Sequence, residues 1–307
     1  MSFRKIFSTL ALINLAWAGA TPAQATTSEP DQIVVTGNRE QQAEVAAEQA
    51  KAVTLKPLAD HPLPRHYAPI CVKLFGIDPA FGEVIGERVM HNAQTLQLPV
   101  GKKGCQPNVW IGFSRNSKAE VEKLRTQLPE MFGTLSKVDV ERIFRGSGAA
   151  QAWHSTEIRS VDGRPMAIVE YQFGDSPRKI ETKVNQQYQS GRLVSPIRSD
   201  INGTIVVFDA VRANGRTIQQ LADYATFRIL APVQDFGQAP EGGAPTILQL
   251  FAEGAVPVDG LTEFDWAYLS AFYKLDRGAK ASAVHDATKK AMLDGTGQRL
   301  REKSGAP

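Results

Sequence analysis

The run Trp153-His154-Ser155-Thr156-Glu157 places an imidazole and a carboxylate within four positions of each other, a pairing that serves acid–base or metal chemistry. Read as a strand, however, residues three apart point to opposite faces, so His154 and Glu157 share one ion only across a bulge. His154 is then more simply a structural histidine. The other four histidines carry no complete ligand set: His61 and His66 flank a proline-rich stretch, and His91 and His285 fall on expected helices. A second cluster lies on one face of a helix near residue 220, where Gln219, Gln220, Asp223 and Tyr224 project together. G-x-S-x-G, G-x-x-x-x-G-K-[ST] and G-x-G-x-x-G are all absent, which removes the usual marks of hydrolase elbows, nucleoside-triphosphate loops and dinucleotide folds.

The elements that must position the second cluster are well marked. Thr204 to Ala210 is a strand of almost unbroken apolar character ending at Asp209, and Asn214-Gly215 turns the chain. Thr217 caps a helix that runs to about Leu230, and Pro232 stops it. Ile218, Leu221, Ala222, Ala225 and Ile229 form its buried stripe, so Gln219, Gln220, Asp223 and Tyr224 are expected to face outward, with Phe227 below. Thr246 to Phe251 follows a Gly/Pro-rich link. Then Leu261-Thr262-Glu263-Phe264-Asp265 gives capping-box spacing ahead of a helix from Trp266 to Tyr273.

This order, from Ile201 to Tyr273, resembles the catalytic half of zinc metallopeptidases of the zincin class. Those enzymes carry H-E-x-x-H on the helix, two histidines holding zinc and the glutamate activating the metal-bound water. Laid over this helix, the motif falls on Gln219, Gln220 and Asp223, or, one residue on, on Gln220, Leu221 and Tyr224. Neither frame supplies a histidine. The resemblance therefore implies a zincin-like fold whose metal site is lost and whose cleft still binds an extended peptide or glycan, with Gln219, Gln220, Asp223 and Tyr224 as contacts. No metal and no cofactor are expected. The competing reading is a hydrolase with a non-standard site assembled in three dimensions from His154, Asp209 and Asp223.

Upstream, the body reads β-α-β-α: a strand at Ile70 to Phe75, a helix opened by Asp78-Pro79, a strand at Val109 to Phe113, and a helix capped by Ser117. Phe81, Val84, Ile85, Val89, Ala93 and Leu96 are expected to form one buried stripe on the first helix, and Val121, Leu124 and Leu128 on the second. Ala152 to Arg159 and Met166 to Phe173 flank Asp162-Gly163 and read as a hairpin. The polar stretch 174–200, with Arg178, Lys179, Lys183, Arg192 and Arg198 diluted by acids, reads as a solvated loop.

Arg4 and Lys5, the apolar run Ile6 to Ala20, and Ala23-Gln24-Ala25 make residues 1–25 a secretory signal, so the mature chain begins at Thr26. Its removal lowers the net charge from +3 to +1, which gives no electrostatic reason to bind nucleic acid. Export makes the two cysteines, Cys71 and Cys105, more plausible as a structural disulfide than as reactive thiols. Asp31 to Gly37 is β-prone and resembles the opening of the plug domain of TonB-dependent outer-membrane receptors, which implies a Gram-negative envelope. Nothing downstream reads as alternating barrel strands, so a receptor is excluded, leaving at most a structural partner of one. Residues 26–68 are expected as a flexible or partly helical linker, 69–294 as the globular body divided near 150, and 295–307 as a loose tail. The expectation is thus a periplasmic, mixed α/β protein with a disulfide-tied N-terminal layer, no transmembrane segment in the mature chain, and an envelope protein, peptide or glycan as partner.

Overall fold

The computed structural model describes residues 31–55, 61–145, 148–172, 174, 179–185, 195–234, 241–256 and 258–305. The expected signal segment lies outside them. The architecture is mixed α/β: among the described residues there are eight α-helices, a mainly parallel five-stranded sheet and a two-stranded antiparallel one. No helix among those residues is long and apolar enough to cross a membrane.

The central strand is β7 (Ile197–Asp209). Along one edge it pairs antiparallel with β4 (Ala150–Ser160), with a bulge between Ser155 and Thr156. Along the other it takes two parallel partners in succession, β1 (Pro64–Arg65) opposite Ser199 and Asp200, then β3 (Val109–Ser114) opposite Thr204 to Asp209. β2 (Val72–Phe75) extends the sheet beyond β3. Side chains alternate across a strand, and β7 uses both faces: Val206 and Phe208 enter the larger core, Ile205 and Val207 the smaller. All four are fully buried, which is why the strand is apolar without a break from Ile205 to Phe208.

On the larger core lie α1 (Asp31–Val53), α2 (Pro79–Thr95), α5 (Ile218–Leu230), α6 (Glu263–Lys274) and α7 (Ala283–Leu293), with α8 (Thr296–Lys303) closing the chain. The smaller core is covered by α3 (Ser117–Gln127) and α4 (Lys137–Arg145), with Phe132 packed on Trp153 of β4, the two rings tilted with centroids 5.0 Å apart.

Several sequence expectations hold in position and fail in partner. β4 and β5 (Ala167–Gln172) form where expected, but Asp162-Gly163 closes no hairpin. A lone bridge from Arg159 to Pro165 joins them, while β5 pairs with β6 (Lys179–Val184) inside the stretch expected as a loop. Of that stretch's basic residues, Arg198 is buried and paired with Asp200, whereas Arg178 and Arg192 lie outside the described residues. On α2, Phe81 and Val84 are 54% and 52% exposed. The buried line runs instead through Gly82, Ile85, Gly86, Val89 and Ala93, because the two glycines let Leu74 of β2 press against the helix. A count of apolar side chains passes over glycines.

Both ends of the chain also differ. Asp31 to Gly37 is the first part of a helix, not a strand. β propensity is a weak preference, and a helix nucleated in the Ala- and Glu-rich segment extends back through it. Beyond Asn38, α1 is no solvated linker: Ala43, Ala46, Ala50 and Val53 are fully buried. The tail expected to be loose forms α8, with Ser304 buried and its carbonyl bonded to Arg88.

Cys71 and Cys105 form a disulfide with Cα atoms 6.0 Å apart. Asn108 accepts from the Cys71 amide, and the Asn108 and Val109 amides donate to the Cys71 carbonyl, so the bridge closes the loop that leads into β3. Replacing both cysteines by alanine is expected to lower stability by about 3–4 kcal/mol on the loop-entropy model, read as a shift in the urea midpoint.

Candidate functional site

α5 begins at the cap expected of it, Thr217, and the cap is a full capping box, Thr217 accepting from Gln220 N while Gln220 Oε1 accepts from Thr217 N. The outward polar face does not exist. Every residue from Gln220 to Leu230 is buried, because the side opposite the apolar stripe packs on α2 and on the loop before α6. Asp223 is completely enclosed. Its carboxylate accepts from Arg88 Nε at 2.8 Å, Arg88 Nη2 at 3.0 Å, Asn92 Nδ2 at 2.7 Å and Leu261 N at 3.1 Å. A carboxylate offers about four acceptor positions, and these bonds fill them. Tyr224 packs its ring on Phe208 and Phe251 and accepts from Arg228 Nη1 at 3.0 Å.

The other candidates are kept apart. His154 Nε2 lies 3.1 Å from the Ile229 carbonyl, while Glu157 receives Arg159 and Asn202, so the bulge at Ser155/Thr156 does not unite them. Asp209 accepts from Val211 N and Arg212 N in the turn after β7. His154, Asp209 and Asp223 thus each have separate partners. Among the described residues no three His, Cys, Asp or Glu side chains cluster as a metal set.

His66 meets His154 at the end of α5: its Nε2 is 3.1 Å from the same Ile229 carbonyl and 3.2 Å from Thr204 Oγ1. A carbonyl only accepts, so both rings carry hydrogen on Nε2. Together with Tyr273 Oη donating to Leu230 O, they satisfy carbonyls that the helix end leaves open. Burial pulls the pKa of His66 down to about 4 and, aided by His66 and Arg228, that of His154 to about 3.

The groove lies one layer above α5. A concavity of about 660 Å³ opens between α1, the loop 242–245 and the loop 258–264. Its lining includes the amides of Asn38, Gln41 and Gln42, the main chain around Gly243 and Gly260, and the charged side chains of Glu263 and Arg301. The residues the sequence marks as contacts are its struts. Gln220 Nε2 donates to the Val258 carbonyl, Asp223 anchors Leu261 N, and a Cβ on Gly260 would run into Asp223 Oδ2 and Gln219 Nε2. Asp265 fixes the adjoining wall by accepting from Thr246 Oγ1, Ile247 N and Thr262 N, and Thr262 Oγ1 donates to the Pro245 carbonyl. Burial pushes the Asp265 carboxyl up to about 6, opposed by the bonds it accepts from Thr246, Thr262 and Ile247. Gln49 Nε2 ties α1 to the Ala244 carbonyl.

The groove's lining residues escape sequence reading because amides on a helix and a Gly/Pro-rich link look like ordinary surface. The capping box Thr262/Asp265 is the one local signal that a rigid wall stands there. Compared with protein-family models, curated proteins and solved structures, the chain finds no match.

Proposed function

We propose that this is an exported, non-catalytic protein of a Gram-negative envelope that holds an extended peptide segment in the groove between α1 and the loops 242–245 and 258–264. The observation that carries the reading is a groove of about 660 Å³ lined by the amide residues Asn38, Gln41 and Gln42 and by Gly243 and Gly260 beside apolar side chains such as Val45, Pro245 and Met292, with Leu261 and the residues that follow loop 242–245 held from beneath by the buried carboxylates of Asp223 and Asp265. Preformed walls reduce the ordering cost of binding, and exposed main chain with side-chain amides suits the regular donors and acceptors of a peptide backbone. Among the described residues the one aromatic in the lining, Phe264, is 2% exposed, so no described ring offers a sugar a face to stack on, which favours peptide over glycan. The Cys71–Cys105 bridge supports export. In the zincin-like reading of Ile201 to Tyr273, the helix that carries zinc ligands in active members serves here as a brace for the groove.

Peptides selected from a random extended library on the disulfide-intact protein test the reading. Gln42→Trp, an exposed position on α1, should lower their affinity at least tenfold, about 1.4 kcal/mol, with circular dichroism unchanged. Failure to select any peptide, binding indifferent to Gln42→Trp, or a glycan competing for the groove would each overturn it.

A further inference from the structure

β5 and β6 form a ribbon of their own. Among the described residues neither strand joins the five-stranded sheet, and the outer edge of β6 has no ladder partner. Lys179 to Lys183 are all exposed, so that edge is open. Two strands alone are marginally stable in water, and an unpaired edge is a template for a further strand. Side chains alternate along each strand, so Ala167, Val169 and Tyr171 share a face with Ile180, Thr182 and Val184. On it Tyr171 and Ile180 lie opposite each other, 48% and 51% exposed. The other face carries the charges. Glu170 lies opposite Glu181, a like pair, and Lys179 Nζ donates to Glu170 at 2.9 Å. Glu181 and Lys183 make no ion pair among the described residues. Lys183 does feel the charge of Glu157, but Arg159 already holds that carboxylate.

The run Ile180-Glu181-Thr182-Lys183-Val184 is complementary to itself when reversed: apolar, acid, Thr, base, apolar. Laid antiparallel on a second copy about Thr182, Glu181 meets Lys183 twice, Ile180 meets Val184 twice and Thr182 meets Thr182. Opposite charges, apolar pairs and Thr–Thr pairs all stabilise antiparallel strands. Lys179 meets Asn185, so no like charges oppose. Other registers fail: a slip of one residue puts Ile180 on Lys183, and a slip of two puts Glu181 on Glu181 and Lys179 on Lys183. An edge guarded against pairing presents like charges to its own copy, whereas β6 presents opposite ones. β5, whose one charged residue is Glu170, has no register of this kind.

We propose that β6 is a self-association edge through which two copies of this chain join their ribbons into a four-stranded antiparallel sheet with β6 against β6, independent of the peptide groove. The two-fold axis passes through the Thr182 pair perpendicular to the sheet, so each copy offers the same residues and the two faces stay distinct. On one face Tyr171 and Ile180 continue into Val184 and Ala167 of the second copy, and the exposed apolar pair gains a neighbour. On the other, Lys183 of the second copy comes beside Glu181 and answers the like-charge pair that Glu181 makes with Glu170.

Sedimentation equilibrium of the full, disulfide-intact chain at rising concentration tests the edge, and a reversible monomer–dimer equilibrium is expected. Glu181→Lys and Lys183→Glu, both at exposed positions, each set like charges against each other twice and should weaken association at least tenfold. The double exchange, Glu181→Lys with Lys183→Glu, should restore it. An equimolar mixture of the two single variants, which opposes unlike charges at both positions, should associate as the original chain does. Circular dichroism checks that the variants fold, and amide exchange in β6 of the unaltered chain, which needs no variant, should slow as the dimer fills. A chain that stays monomeric up to about 1 mM, a dimer indifferent to the single exchanges, a double exchange or mixture that fails to associate, or β6 exchange independent of concentration would overturn the proposal.

Discussion

Asp223→Ala is expected to destabilise the fold by about 3–5 kcal/mol, the range for breaking a buried ion pair from one side. The Asp223 side chain has no exposure and that of Arg88 has 17%. Truncation leaves a guanidinium, the Asn92 amide and the Leu261 N–H facing a space with no acceptor, and each unmet donor costs free energy. The cost should fall unevenly. Leu261 N loses its only described acceptor, so hydrogen exchange at 258–261 should accelerate more than in β7, and the groove should lose affinity even where the variant remains folded. Replacing both partners, as in Arg88→Met with Asp223→Leu, should recover much of the lost stability while leaving the loop loose, because apolar packing substitutes for the charges but cannot hold an amide. Urea unfolding at neutral pH measures the first effect and amide exchange the second. A cost below about 1 kcal/mol would be the behaviour of a solvated pair, which this geometry forbids.

That same residue shows where reading the sequence stops. The turn, cap and helix around it were legible: Thr217 caps, Leu230 ends, and Thr262 with Asp265 opens α6, whereas β7 starts at Ile197, ahead of the apolar run that marks it from Thr204. These signals are local, each resting on residues within four positions. Which way the polar side of α5 points depends on Arg88, 135 positions away, and no periodicity encodes that. A polar residue on a helix is usually solvated, so Asp223 read as surface although it is interior. The disulfide was legible because two cysteines allow one pairing. The Asp162-Gly163 turn misled because turn chemistry fixes a reversal but not the strand that β4 pairs with, and β7 offers β4 eleven residues of ladder. The groove was illegible because its lining comes from both ends of the chain and from glycine main chain, none of which carries a chemical signature.

Acid should unfold this protein chiefly through two imidazoles. His66 and His154 have folded pKa values lowered to about 4 and about 3 by burial, against an ordinary value near 6.5. A lowered histidine contributes stability that is present above the unfolded pKa and lost as pH falls towards the folded one, because the unfolded chain takes up the proton first. Between pH 7 and pH 4 each imidazole therefore removes about 3 kcal/mol. Asp265 works the other way. Its pKa is raised to about 6, so the unfolded chain gives up its proton earlier and the carboxyl favours folding at low pH, returning about 2 kcal/mol over the same interval. The balance is a loss of about 4 kcal/mol, centred below pH 6.5 rather than at the ordinary carboxylate range. Urea midpoints recorded from pH 7 to pH 4 should show it. His66→Gln with His154→Gln, in which an amide can still donate to the Ile229 carbonyl, should flatten the curve whatever it costs at pH 7, and Asp265→Asn should steepen it. A wild-type curve that stays level down to pH 5 would mean that at least one imidazole reaches water, and with it that the end of α5 is open where the structure closes it.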